Sequence, residues 1–269
     1  MSIATEISRI QQAKADIKSS IEAKGVTVPS AALIDDYSDY VDAIQTGGGG
    51  GTPIVESVDV SDYTGGATFN FLKQITDVNW PSGVKYIDEK AFYHCTSLTS
   101  VTIPNSVTHI YNNAFDNCTG LTSVTIPDSV KEIQNYAFQY CSGLTSVTIP
   151  NSVTSIGGGV FTRCTGLTSV AIPNSVTSIG GSAFYGCSSL TSVTIGSGVT
   201  SIGSYTFSGC SSLTSITVNA TTPPTLENSN AFNNTNDCPI YVPAGSVNAY
   251  KTANRWSELS SRIQAIPSE

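Results

Sequence analysis

The sequence predicts a mainly β solenoid of 23-residue coils laid into a parallel sheet, preceded by a short α-helical anchor. Three observations predict it. The segment Leu98-Thr-Ser-Val101-Thr-Ile103-Pro104-Asn-Ser-Val107-Thr-His-Ile110, followed by Ala114-Phe115 and Cys118, returns at Leu121, Leu144, Leu167, Leu190 and Leu213 without insertion. The cysteines at 95, 118, 141, 164, 187 and 210 keep the same period. Residues 1–46 depart from it and place isoleucines at helical spacing instead.

The N-terminal segment comes first in the chain. Ile3, Ile7, Ile10, Ile17 and Ile21 recur at helical spacing, with Lys14 and Lys24 completing the register, and Gly25 stops the helix. Pro29-Ser30 opens a second helix, with Ile34, Tyr37, Val41 and Ile44 on one face and Asp35, Asp36, Asp39 and Asp42 on the other. Two short helices cannot form a monomeric core of their own. They are expected to pack on each other, on copies of themselves or on a larger assembly, and isoleucine at both seam positions favours a trimer. The plain alternative is a helical cap on the solenoid. The linker at 47–52 argues against it, because the run Gly47 to Gly51 behaves as a flexible tether.

Residues 53–74 are expected to cap the solenoid, 75–218 to form its repeats and 219–269 to close it. A degenerate first coil starts at Ile75, with Val78, Trp80, Pro81, Val84, Ile87, Ala91, Phe92 and Cys95 in register. Within each coil, Ser-Val-Thr-Ile alternates polar and apolar, the pattern of a half-buried strand. Val101 and Ile103 face inward; Ser100 and Thr102 face outward. Stacked coils bury what a single coil cannot, with strands about 4.8 Å apart. Pro104 and its equivalents end the strand by removing a donor. Val107 and Ile110 return to the core on a shorter extended segment, and Ala114-Phe115 fills the far side.

The cysteine ladder admits two readings. A zinc site needs four convergent ligands, usually in C-x-x-C pairs, and the chain has none. In-register side chains on parallel rungs suit the disulfide dihedral poorly. A small, buried side chain at one interior site is the favoured reading. Cys238 falls off the period and belongs to the cap.

The repeat unit Leu-Thr-Ser-Val-Thr-Ile-Pro-x-Ser-Val-Thr-x-Ile-x-x-x-Ala-Phe-x-x-Cys resembles the BspA-like, treponemal-type leucine-rich repeat, over about residues 75–218. Pro239-Ile-Tyr241-Val-Pro243-Ala-Gly-Ser-Val247-Asn-Ala-Tyr250-Lys, with Trp256 and Ile263, is similar to the terminal cap common in that family. The resemblance implies a surface-exposed adhesive protein without enzyme activity. The segment from Thr5 through Tyr37 is similar to N-terminal segments of tail-fibre-like and other virion proteins in phages of gut bacteria. Such fibres commonly attach by the N-terminus and recognise a host with the distal part.

Composition narrows the function further. Charged residues make up 12% of the chain, against about 25% in an average soluble domain. The 12 basic and 20 acidic residues give a net charge of −8, which argues against a nucleic-acid partner. Glu6, Arg9, Lys14, Asp16 and Lys18 interrupt every candidate signal-peptide core. No apolar run reaches the roughly 18 residues of a membrane span. From 98 to 212 the charged residues are Asp116, Asp128, Lys131, Glu132 and Arg163. General acid–base chemistry needs positioned titratable groups, so neither an enzyme nor a metal or other cofactor is expected. The triplets at Asn117, Asn219 and Asn233 fit the glycosylation pattern at the frequency chance gives in so Asn- and Thr-rich a chain.

Two surfaces are candidates for binding. The outward hydroxyl stripe is nearly uniform and reads mainly as structural. The residues around Ala-Phe vary from coil to coil and are rich in Tyr and Asn: Tyr93, His94, Tyr111, Asn112, Tyr136, Tyr140, Arg163, Tyr185 and Tyr205. Tyrosine gives a large contact area at small entropic cost, so this ridge is a candidate recognition surface. Relaxed drift at loop positions is the alternative. The leading expectation is a virion attachment protein: the helices trimerise or dock to other virion proteins, and the solenoid binds a bacterial surface protein or glycan. A bacterial cell-surface adhesin and an intracellular scaffold are the alternatives.

Overall fold

A computed structural model describes residues 83–268, together with 78–80, 58–59 and Ser19. The expected helices, including Ile3, Ile7, Ile10, Ile17, Ile21, Ile34, Tyr37, Val41 and Ile44, lie outside the described residues. So do the 47–52 linker and most of 53–74, and the trimer expectation with them. The chain divides into two units, Met1–Val55 and Glu56–Glu269, and the solenoid is the second.

Each coil contributes one long and one short strand. Ser100–Thr102, Ser123–Thr125, Ser146–Val147, Ser169–Ile172, Ser192–Ile195 and Ser215–Val218 lie side by side in parallel. Ile240–Val242 and Ile263–Ala265 complete an eight-stranded sheet. The register is the sequence period: Val101 lies opposite Val124, and Val170 opposite Val193. Valine and isoleucine face in while Ser and Thr face out, as the alternation predicts. Pro173 ends its strand, but Gly196 stands at the next equivalent position, and its N–H donates to the Ile172 carbonyl at 2.9 Å. Where proline stands, the ladder loses that donor; Gly196 and Asn219 supply it.

The short strands, from Tyr86–Ile87 to Thr225–Leu226, form a second parallel sheet of seven. Their inner residues, such as Ile110 and Ile133, are buried. Val78–Asn79 of the degenerate coil pairs in parallel with Val58–Asp59.

The third side of each coil is a turn that buries Ala and Phe. The phenylalanines stack from Phe92 through Phe115, Phe138, Phe161, Phe184 and Phe207 to Phe232, with ring centroids 4.9 to 5.7 Å apart. Such offset pairs add about 0.5–1.5 kcal/mol each beyond burial. Trp256, tilted 42° to Phe232, ends the stack and meets Tyr250 edge-on. The cap is pinned by polar ends on apolar bodies: Tyr250 Oη donates to the Ala220 carbonyl at 2.8 Å and Trp256 Nε1 to the Pro224 carbonyl at 2.7 Å.

The cysteines at 95, 118, 141, 164, 187, 210 and 238 are free and buried. They also do more than fill space. Cys118 Sγ donates to the Phe92 carbonyl of the preceding coil at 3.0 Å, and Cys141, Cys164, Cys187 and Cys210 repeat the bond. Burial pushes the Cys141 and Cys164 thiols up, which keeps them protonated and unreactive. At the cap Thr235 takes the cysteine's place, its hydroxyl donating to the Phe232 carbonyl at 2.8 Å. Cys238 then donates its N–H to Thr235 as Leu213 does to Cys210, so it stands at the leucine position of the last coil.

Candidate binding ridge

The turn that buries Ala and Phe also builds the ridge. The residues just before Ala and just after the position following Phe adopt a left-handed backbone. One column runs Lys90, Asn113, Tyr136, Gly159, Ser182 and Tyr205; the other runs His94, Asn117, Tyr140, Arg163, Gly186 and Gly209. Their φ values lie between 56° and 79°. The backbone N–H groups at these positions bond from coil to coil. In this conformation the N–H turns along the solenoid axis, and Tyr136 donates to Gly158 O at 2.9 Å, Tyr140 to Thr162 O at 2.8 Å and Arg163 to Tyr185 O at 2.7 Å. Glycine adopts this backbone freely and asparagine tolerates it, whereas other residues lose about 1–2 kcal/mol.

Tyr136, Tyr140 and Tyr205 sit at such positions and are 44%, 41% and 43% exposed. Their rings run along the columns. Tyr136 lies over Gly159, where a Cβ would come within 2.4 Å of its ring. The Arg163 guanidinium sits 5.9 Å from the Tyr140 ring centroid, and the arginine stem lies against Gly186. Tyr205 Oη accepts from Asn230 Nδ2 at 3.1 Å. At the other end, His94 Nδ1 is 2.9 Å from Asn117 Nδ2, and Tyr93 packs on His94 with ring centroids 4.1 Å apart. Tyr185, half-buried, precedes Gly186 in the second column.

The nine sequence-predicted residues therefore do not form one patch. Tyr93, His94, Tyr136, Tyr140, Arg163, Tyr185 and Tyr205 follow the two columns. Tyr111 belongs to the short-strand face, with ring centroids 5.9 Å from Tyr86 and 6.1 Å from His109. Asn112 works in the backbone: its Oδ1 accepts from Asn135 N at 3.1 Å. Asp116, buried under the ridge, accepts from Asn113 Nδ2 at 2.9 Å. Burial raises its pKa, while that bond and His94 pull it down. Sequence reasoning missed the left-handed geometry, although Gly159, Gly186 and Gly209 carry its signal at the repeat period. Among the described residues no group of three or more His, Cys, Asp or Glu is placed to hold a metal ion, and no helix is long and apolar enough to cross a membrane.

Comparisons with known proteins fit this architecture. The model of the BspA type leucine rich repeat region matches in six copies, over residues 63–191 and 131–254. A leucine rich repeat protein of T. pallidum, TpLRR, is 30% identical, with a TM-score of 0.50, covering 80% of this chain and 94% of its own. A leucine rich cell surface protein from Faecalibacterium prausnitzii is 31% identical, with a TM-score of 0.52, covering 72% of this chain and 60% of its own. The pneumococcal vaccine antigen PcpA, 16% identical with a TM-score of 0.52 over 71% of this chain and 49% of its own, shares the fold. No curated protein matches. These relatives are bacterial and lend the virion expectation no support. The chain belongs to the BspA-type leucine-rich repeat family.

Proposed function

We propose that the chain is a bacterial cell-surface adhesin that binds a protein or glycan partner along the turn ridge. One observation carries the reading. Tyr136, Tyr140 and Tyr205 occupy left-handed positions where glycine or asparagine would be free of strain, and they stay exposed there. Tyrosine costs backbone strain at these places that glycine or asparagine would reduce, and strained, solvent-facing side chains are a mark of function. The relative described as a cell surface protein supports the location. The family is one of repeat scaffolds that bind rather than catalyse.

The reading has two tests. Fractionation of producing cells should place the chain in the envelope; recovery only in purified phage particles would return the virion reading to first place. Replacing Tyr136, Tyr140 and Tyr205 together with asparagine should lower adhesion of the purified protein to cells or immobilised matrix at least tenfold, with the fold intact. Unchanged adhesion would move the site off the ridge.

A further inference from the structure

Beside the ridge the solenoid carries a polar cleft of about 310 Å³, lined by Asn112, Glu132, Gln134, Asn135, Ser155 and Gly157. It exists because the coils change character there. The residue after the short strand is Tyr111, then Gln134, then Gly157, Gly180 and Gly203. At Gly157 the coils stack so closely that a Cβ would lie 2.7 Å from the Gln134 carbonyl carbon and 2.8 Å from Asn135 N. Side-chain-bearing coils thus give way to bare ones, and the step leaves the cleft.

The polar groups in it are only partly used. Asn112 Oδ1 accepts from Asn135 N at 3.1 Å, and Asn135 Oδ1 accepts from Gly158 N at 2.7 Å. These bonds fix both amides and leave their Nδ2 groups without a partner among the described residues. Glu132 receives a long bond from Gln134 Nε2 at 3.4 Å and stands 4.0 Å from His109 Nε2. The cleft therefore offers oriented amide donors, a carboxylate acceptor and the Ser155 hydroxyl at close range. Adjacent sugar hydroxyls need that set, because each donates one bond and accepts others. Aromatic rings flank it in sequence: Tyr111 precedes Asn112, and Tyr136 follows Asn135. Glu132 is the charged group in the lining, and a carboxylate repels anionic ligands.

We infer that this cleft is a saccharide subsite selective for neutral sugars over uronates and sialates. It lies apart from the Tyr140–Arg163 ridge and goes beyond the adhesive reading by naming a ligand class. The test is an amide-shift titration by NMR of the full chain with methyl glycosides of glucose, galactose, N-acetylglucosamine and glucuronic acid. Neutral glycosides should shift Asn112, Asn135 and Gly157 saturably, and the glucuronide should not. Glu132→Ala should weaken neutral-sugar binding at least tenfold. Glu132→Gln, which keeps shape and an acceptor, should admit the glucuronide. No saturable shift in the cleft, equal binding of the glucuronide to the unaltered protein, or an unchanged titration in Glu132→Ala would overturn the assignment. Tyr140→Asn should leave the titration intact, so loss of the cleft and loss of the ridge read out separately.

Discussion

The inside and the outside of the same turn obey opposite rules. Inside, Phe115, Phe138, Phe161, Phe184 and Phe207 repeat without exception, and Cys118 through Cys210 repeat beside them. Each ring stacks on two like rings, and each thiol donates to a carbonyl one coil back, so any change is felt on both sides. Outside, at His94, Asn117, Tyr140, Arg163 and Gly186, the backbone is equally constant but the side chains differ from one coil to the next. The stacking bonds there come from backbone N–H groups, which any residue but proline supplies. A solenoid can thus hold its geometry with the main chain and vary its surface with the side chain.

The sharpest break of that comparison is a change inside. Phe138→Ala removes a ring between two stacked neighbours and leaves a cavity in a close-packed rung. We expect a loss of about 3–5 kcal/mol, read by chemical denaturation. A loss below that of a surface substitution would mean the rungs are not the stabilising element.

Cys164→Ala separates hydrogen bonding from packing. It takes the S–H donor from the Phe138 carbonyl and leaves a small void. Roughly 1–2 kcal/mol should be lost. Native-state alkylation should leave Cys141 and Cys164 unlabelled at neutral pH, since burial keeps both thiols protonated. Rapid labelling without unfolding would contradict the buried rungs.

Outside, the sign should reverse. Tyr140→Asn installs the residue that Asn117 already places one coil earlier in the same left-handed position. Relief of backbone strain should match or exceed the lost contact with Arg163, so stability should rise by up to about 1 kcal/mol. Adhesion should fall. A clear destabilisation would show that the tyrosine is there for the fold.

The two rules also explain how far the sequence could be read. The interior was legible to the residue, because burial on stacked coils writes its own period: Leu98, Val101, Ile103, Val107, Ile110 and Phe115 all fall where periodicity puts them. The thiol-to-carbonyl bonds were not, because apolar filling predicts the same residue. On the surface, variability marked Tyr136, Tyr140 and Tyr205 but not their backbone, since left-handed turns leave only a scatter of Gly and Asn. Tyr111 and Asn112 were grouped with the ridge on proximity in sequence, and the coil carries them toward the short-strand face instead. The cleft depends on the step from Gln134 to Gly157, and only the stacking distance turns that difference into a hollow.

The smallest effect lies where the two rules meet. Asp116 is buried beneath the ridge next to Phe115, and burial outweighs Asn113 and His94 in raising its pKa. A carboxyl whose pKa is higher folded than unfolded favours the fold while protonated. That contribution is complete below the unfolded value and is lost as pH rises through the folded one. At neutral pH Asp116 therefore burdens the fold. Asp116→Asn keeps an acceptor for Asn113 Nδ2 and removes the charge, so it should be slightly more stable than the natural chain near pH 7. The two should converge as pH falls through the acid range and Asp116 takes up its proton. Denaturation midpoints across that range measure it. A variant less stable at neutral pH would show that the charge is held for its pairing with His94, and would make Asp116 part of the ridge rather than its floor.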